Sequence, residues 1–257
     1  MNVFESVQET IKYAQKYGGQ LTEQQLFERL IGDRVYKKEE IHQVIEQTLR
    51  LPILSESTSL DREALIKEKK AKGLARKISK SFGNILFLGI TGSVAAGYPK
   101  KNNDIDLIVI TKINRLWWTR LKLRFFIMIN KIPHRKFGKK EKANEFCFNL
   151  WLDEKSLKLG KEKQNLKNAI DLILMKPLIN KNKTYEKFIL ANDWAKKYVA
   201  TGYSLKPSVS FSETSPLKRE TMLDGVINWL MFWLQFLYMR KKMKNEKVGL
   251  HEAFFHR

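Results

Sequence analysis

A chain of 257 residues with 43% hydrophobic side chains has enough apolar material for one large domain or two ordinary ones, which excludes wholesale disorder. Its 48 lysines and arginines outnumber 27 acids, and the resulting net charge of +21 suits a polyanionic partner, either nucleic acid or anionic lipid. Cys147 stands alone, so no internal disulfide can form; with an N-terminus, MNVFESVQE, that lacks an apolar run, this predicts a cytoplasmic protein without a signal peptide. The charge is uneven. Residues 1–50 hold 7 basic and 8 acidic side chains, whereas residues 112–142 hold 11 basic side chains and only Glu141 as an acid.

In chain order, VFESVQETIKYAQK (3–16) has helical periodicity and ends at Gly18 and Gly19. LTEQQLFERLIG follows, with Thr22 as N-cap and Gly32 as stop, and KKEEIHQVIEQTL makes a third helix. LPILSESTSL has the pattern of a short hairpin. Three helices and a hairpin suggest a winged helix over residues 1–60. Its third helix, however, carries Glu39, Glu40 and Glu46, which suits a docking or lid module better than phosphate recognition.

Residues 61–81 read as a basic helix that opens a second unit, 61–160. There NILFLGITGS is a buried strand entering a turn, VAAG a short helix, DIDLIVIT a strand, RLWWTRLKLRFFIMIN a basic amphipathic helix, and EFCFNLWLD a third strand. This order predicts an α/β fold with a small mixed sheet and helices against it. The last unit, 161–257, reads as helical. One helix stops at Pro177, another at Gly202, and TMLDGVINWLMFWLQFLYMR forms a third, expected to be buried. In that third helix Asp224, Asn228 and Gln235 form a narrow polar stripe, and the apolar run is too short for a membrane span.

The chemistry concentrates in GITGSVAAGYPKKNNDIDLIVIT, residues 89–111. Alternation along a strand puts Asp104 and Asp106 on one face, with Ile105 and Leu107 on the other. Two neighbouring carboxylates repel unless a cation lies between them. Mg²⁺ (or Mn²⁺) takes carboxylate oxygens together with substrate phosphates. Gly92 permits a sharp turn close to a ligand, and Ser93 can donate to a phosphate oxygen at the start of the following helix.

An apolar strand, Gly92-Ser93, ten residues, then Asp104-x-Asp106 in a second apolar strand resembles the nucleotidyltransferase superfamily that includes DNA polymerase beta. It looks most like small bacterial proteins in which a helical module precedes this motif and a helical segment follows it. The resemblance implies Mg²⁺-dependent transfer of a nucleoside monophosphate from an NTP to an acceptor hydroxyl, with release of pyrophosphate. Asp104 and Asp106 would hold the metals, and Gly92 and Ser93 the triphosphate. The superfamily's third carboxylate falls at Asn149, which can ligate a metal but cannot serve as a base. Glu145 and Asp153 share its strand parity and are the substitutes the sequence offers. The alternative is a catalytically decayed nucleotide- or nucleic-acid-binding protein, with segment 112–142 as the nucleic-acid face. The four histidines, His42, His134, His251 and His256, show no metal spacing.

Overall fold

Asn2 and Thr22 each start a helix by the same device. The Asn2 side chain accepts from the Glu5 N–H while the Glu5 carboxylate accepts from the Asn2 N–H, opening α1 (Val3–Lys16). Thr22, the N-cap the sequence predicts, repeats this capping box with Gln25 at α2 (Glu23–Glu28). These helices pack with α3 (Lys38–Thr48) around Val7, Leu26, Leu30 and Ile41. In the computed structural model of the protein the described residues are 1–48, 59–136, 142–207, 222–241, 243 and 246–255. The hairpin expected from LPILSESTSL, and with it the wing of a winged helix, lies outside them except for Ser59 and Leu60, which open the next helix.

A long helix, α4 (Ser59–Ser81), then leads into the strand β1 (Ile85–Ile90) and the short helix α5 (Gly92–Ala96). Next come β2 (Ile105–Thr111), α6 (Leu116–Ile129) and β3 (Phe146–Asp153). This is the β-α-β-α-β order read from the sequence. The C-terminal third is α7 (Leu166–Leu174), β4 (Lys176–Asn180), α8 (Thr184–Ala191), α9 (Lys196–Ser204), α10 (Met222–Arg240), β5 (Lys247–Val248) and β6 (Glu252–Phe254). Among the described residues the sheet is open, mixed and six-stranded, in the order β4-β1-β2-β3-β6-β5, with only β2 and β3 parallel. No helix among the described residues is long and apolar enough to cross a membrane.

Three expectations for the C-terminal third are corrected. It is not purely helical, since it supplies β4, β5 and β6. Pro177 does more than end a helix: it sits in β4 opposite Gly89, on the sheet edge, where a missing N–H costs least. Gly202 does not stop a helix but lies inside α9, because α2 crosses too closely for any side chain. A Cβ there would be 2.2 Å from the Glu28 carbonyl oxygen. The same junction carries Gly32, whose N–H donates to the Tyr198 carbonyl, rather than a helix stop at that glycine. Gly202→Ala is therefore expected to force α2 and α9 apart at a cost of about 1–3 kcal/mol, read as a lowered midpoint in thermal or urea unfolding.

The sheet has two covered faces. Ile105, Leu107 and Val109 of β2 pack under α4 and α6 with Leu74, Ile78, Trp117 and Leu123. Ile108 and Ile110 point the other way, into a core with Ile170, Leu172 and Phe188 from α7 and α8. Strand alternation puts Asp104 and Asp106 on this second face, toward α7.

Candidate active site

The turn after β1 is built around one carboxylate. Gly92 has φ +64°, and a Cβ on it would be 2.7 Å from Asp106 Oδ2, so the backbone lies directly against the carboxylate and only glycine fits. The Thr91 N–H donates to the Asp106 carbonyl at 3.0 Å, tying the turn to β2. Ser93 and Gly92 line the same cleft as Asp104 and Asp106.

Asp104 ends the loop before β2 and is buried; Arg135 Nη1 donates to its Oδ2 at 3.2 Å. Lys67 fixes that loop. Its fully buried ammonium donates to the carbonyls of Asn103 (2.6 Å) and Lys101 (3.3 Å), and desolvation lowers its pKa. The pairing of β2 with β3 slips between Leu107–Phe148 and Ile108–Leu150, so Asn149 is the extra residue of a bulge. Its Nδ2 donates to Asp106 Oδ1 at 2.9 Å.

The proposed substitutes for a third carboxylate do not join them. Asp153 is at the far end of β3, opposite Thr111, fully buried. It accepts from the Asn114 and Lys155 N–H groups and contacts the His251 ring at 2.7 Å, a structural role. Glu145 precedes β3 and contributes its carbonyl to the Ile105 N–H, and it does not line the cleft.

The sequence missed Asp171. It lies on α7, over the face that carries Asp106, and lines the cleft with Lys167. Desolvation lifts its pKa to about 6 against the pull of Lys167, and the Asp106 charge pushes the same way. Perturbation of this kind in a cleft marks a group able to exchange a proton near neutral pH. Cys147 was missed as well. Its sulfur lies within 4.8 Å of a carboxylate oxygen of both Asp104 and Asp106, and burial, then those two charges, raise its pKa while Arg135 opposes them. A thiol held protonated is a poor ligand for a hard cation, so the donors suited to Mg²⁺ are the two aspartates.

Two cavities meet here. A polar cleft of about 430 Å³ runs from Asp104 and Asp106 to Lys16, Lys100 and Tyr98, so the end of α1 and its C-cap form one wall through Tyr13, Lys16 and Tyr17. A second cavity of about 340 Å³, lined by Leu159, Leu172, Met175 and Phe188 among others, shares Thr91, Asn149, Lys167 and Asp171 with it.

Among its described residues, 112–136 and 142, segment 112–142 does not present a uniform basic face. Arg115 pairs with Asp224, Arg135 with Asp104, and the buried Arg120 donates to Gln235 Oε1 at 2.6 Å. Lys122, Lys131 and Lys136 remain exposed on it.

The Asp171 shift carries a signed stability effect. A carboxyl whose pKa is higher folded than unfolded keeps an extra proton in the folded state, so stability falls as pH rises from about 4 to about 6. Asp171→Asn is expected to flatten that slope and to raise stability at neutral pH by on the order of 2 kcal/mol, measured by unfolding across the pH range.

No family model, curated protein or solved structure matches the chain.

Proposed function

We propose that the protein is a divalent-metal-dependent nucleotidyltransferase. The observation that carries this is the convergence of Asp104, Asp106 and the Gly92-Ser93 turn on one polar cleft, with Asn149 against Asp106. The two carboxylates, side by side on one strand face, fit a hard cation; Asp104 and Asp106 would hold Mg²⁺ (or Mn²⁺). The ion, when bound, neutralises charge on the triphosphate and on departing pyrophosphate. Everything else falls to the chain's own groups.

The Gly92 backbone and the Ser93 hydroxyl hold phosphate oxygens, and Lys16, Lys100 and Lys167 supply positive charge along the cleft. Asp171 takes the proton of an acceptor hydroxyl as its oxygen bonds to the α-phosphorus and the bond to pyrophosphate breaks; a pKa of about 6 leaves it ionised and ready at pH 7. The more apolar second cavity, adjoining at Asp171, receives the acceptor, and its size favours a small hydroxylated molecule over an RNA end.

A second reading is favoured by two contacts. Arg135 on Asp104 and Asn149 on Asp106 give each carboxylate a partner from within the chain, as suits a nucleotide-binding protein that has lost catalysis. Calorimetric titration of each NTP with and without Mg²⁺ separates the two. Metal-dependent binding supports the enzyme, and binding indifferent to metal supports the alternative.

A further inference from the structure

α10 is amphipathic with its sides reversed. The sequence predicts a buried helix, but its polar stripe is what is buried, against the protein, and its apolar side is exposed. Asn228 Oδ1 accepts from the Trp117 N–H at 2.9 Å, and the Gln235 Nε2 donates to the Trp117 carbonyl at 2.8 Å. Asp224 pairs with Arg115. Asn228, Gln235 and Met239 are the buried residues of the helix. Val226, Trp229, Leu230, Trp233, Leu234 and Leu237 recur at three- and four-residue steps on the opposite side and are exposed, from 41% for Trp233 to 58% for Leu234. α6 extends the patch. It packs against α10 through Trp117 and Arg120, and its Phe125, Met128 and Ile129 are exposed, Ile129 to 74%.

We propose that this surface docks on an anionic lipid bilayer, α10 lying in the plane of the interface with its leucines among the acyl chains and its tryptophans at their headgroup boundary. Charge decides for lipid over a protein partner. Lys122 and Arg240, on the same two helices, and Lys131 and Lys241, just after their C-terminal ends, are exposed. Residues 112–136 contain no acid, and residues 222–241 contain only Asp224, turned inward. A basic rim around an apolar face complements anionic headgroups, and its attraction weakens as salt screens it. Trp229, Trp233 and Tyr238 are residue types that settle at the headgroup boundary. The exposed stripe has almost no polar atoms, whereas protein interfaces carry about one hydrogen bond per 100–200 Å². Its polar side anchors α10 to Trp117 and Arg120, which holds the apolar side outward. The patch backs onto the sheet face opposite Asp106, so a docked molecule keeps its cleft away from the membrane.

The test is flotation of the full chain with phosphatidylcholine vesicles, with and without phosphatidylglycerol, at low and high salt. Tryptophan quenching by brominated acyl chains is read in parallel. Expected are uptake by the anionic vesicles, weakened by salt, and quenching that shows insertion. Leu230→Glu with Leu234→Glu, both exposed and checked for an unchanged melt, should lower uptake at least about tenfold and abolish quenching. Absence of uptake at low salt, or uptake untouched by the double substitution, overturns the proposal. So does a dimer in sedimentation that the double substitution dissociates, since a second copy would then cover the face.

Discussion

Replacing Asp104 and Asp106 together by alanine is expected to remove metal-dependent nucleotide binding and to lower any transfer rate by at least about 10³-fold. A bound cation supplies several kcal/mol of charge stabilisation, and each 1.36 kcal/mol is a factor of ten. Neither of the side chains that partner these carboxylates can compensate. Arg135 would lose Asp104 and become another cation beside the triphosphate, and Asn149 would lose its acceptor on Asp106. Asp104→Asn with Asp106→Asn is the companion variant, because it keeps shape and hydrogen bonding while removing the charge. Calorimetry with Mg²⁺ and NTP checks both pairs. Metal-dependent binding preserved in either would remove the metal assignment.

Asn149→Asp should act in opposite directions with and without metal. The Asn149 amide now donates to Asp106 at 2.9 Å. A carboxylate there loses that hydrogen bond and faces a like charge, so the metal-free protein should melt at a lower temperature. With Mg²⁺ the third negative charge strengthens the cation site, so the melt should recover and nucleotide affinity should rise. A carboxylate able to serve as a base beside Asp106 should also raise turnover, by about 10²-fold, the low end of general-base effects. Combining it with Asp171→Asn separates the two roles. If Asp171 is the base of the unmodified protein, Asp171→Asn alone abolishes the rise in rate through pH 6, and Asn149→Asp restores activity to it. Equal turnover in all these variants would take the base role from both positions.

Much of the site was legible because strand alternation is rigid. Asp104 and Asp106 share a face, as a period of two requires, whereas the contact of Asn149 with Asp106 is made at a bulge that no alternation shows. Thr22 was legible as a cap because its partner Gln25 follows at the right spacing. Asp171 was not. Spaced four residues from Lys167 in a helix, it looks like an ordinary surface ion pair, and only the packing of α7 over Asp106 turns it into a cleft residue. Arg135 and Lys67 were hidden for a similar reason: a basic residue in a basic stretch gives no sign that it is the one turned inward. β5 and β6 have two and three residues, too few for any period to show. The orientation of α10 could not be read from its pattern, since a polar stripe marks a face without saying whether it meets water or Trp117.

The most direct measurement follows the label. The protein is incubated with each α-labelled NTP, Mg²⁺ and a cell extract, and transfer of the labelled monophosphate is followed together with pyrophosphate release. The expected result is that one NTP labels a small molecule, that Mg²⁺ is required, and that Asp104→Ala with Asp106→Ala abolishes the signal. Label that stays in the NTP throughout, although the protein binds that NTP, would contradict it and leave a binding protein.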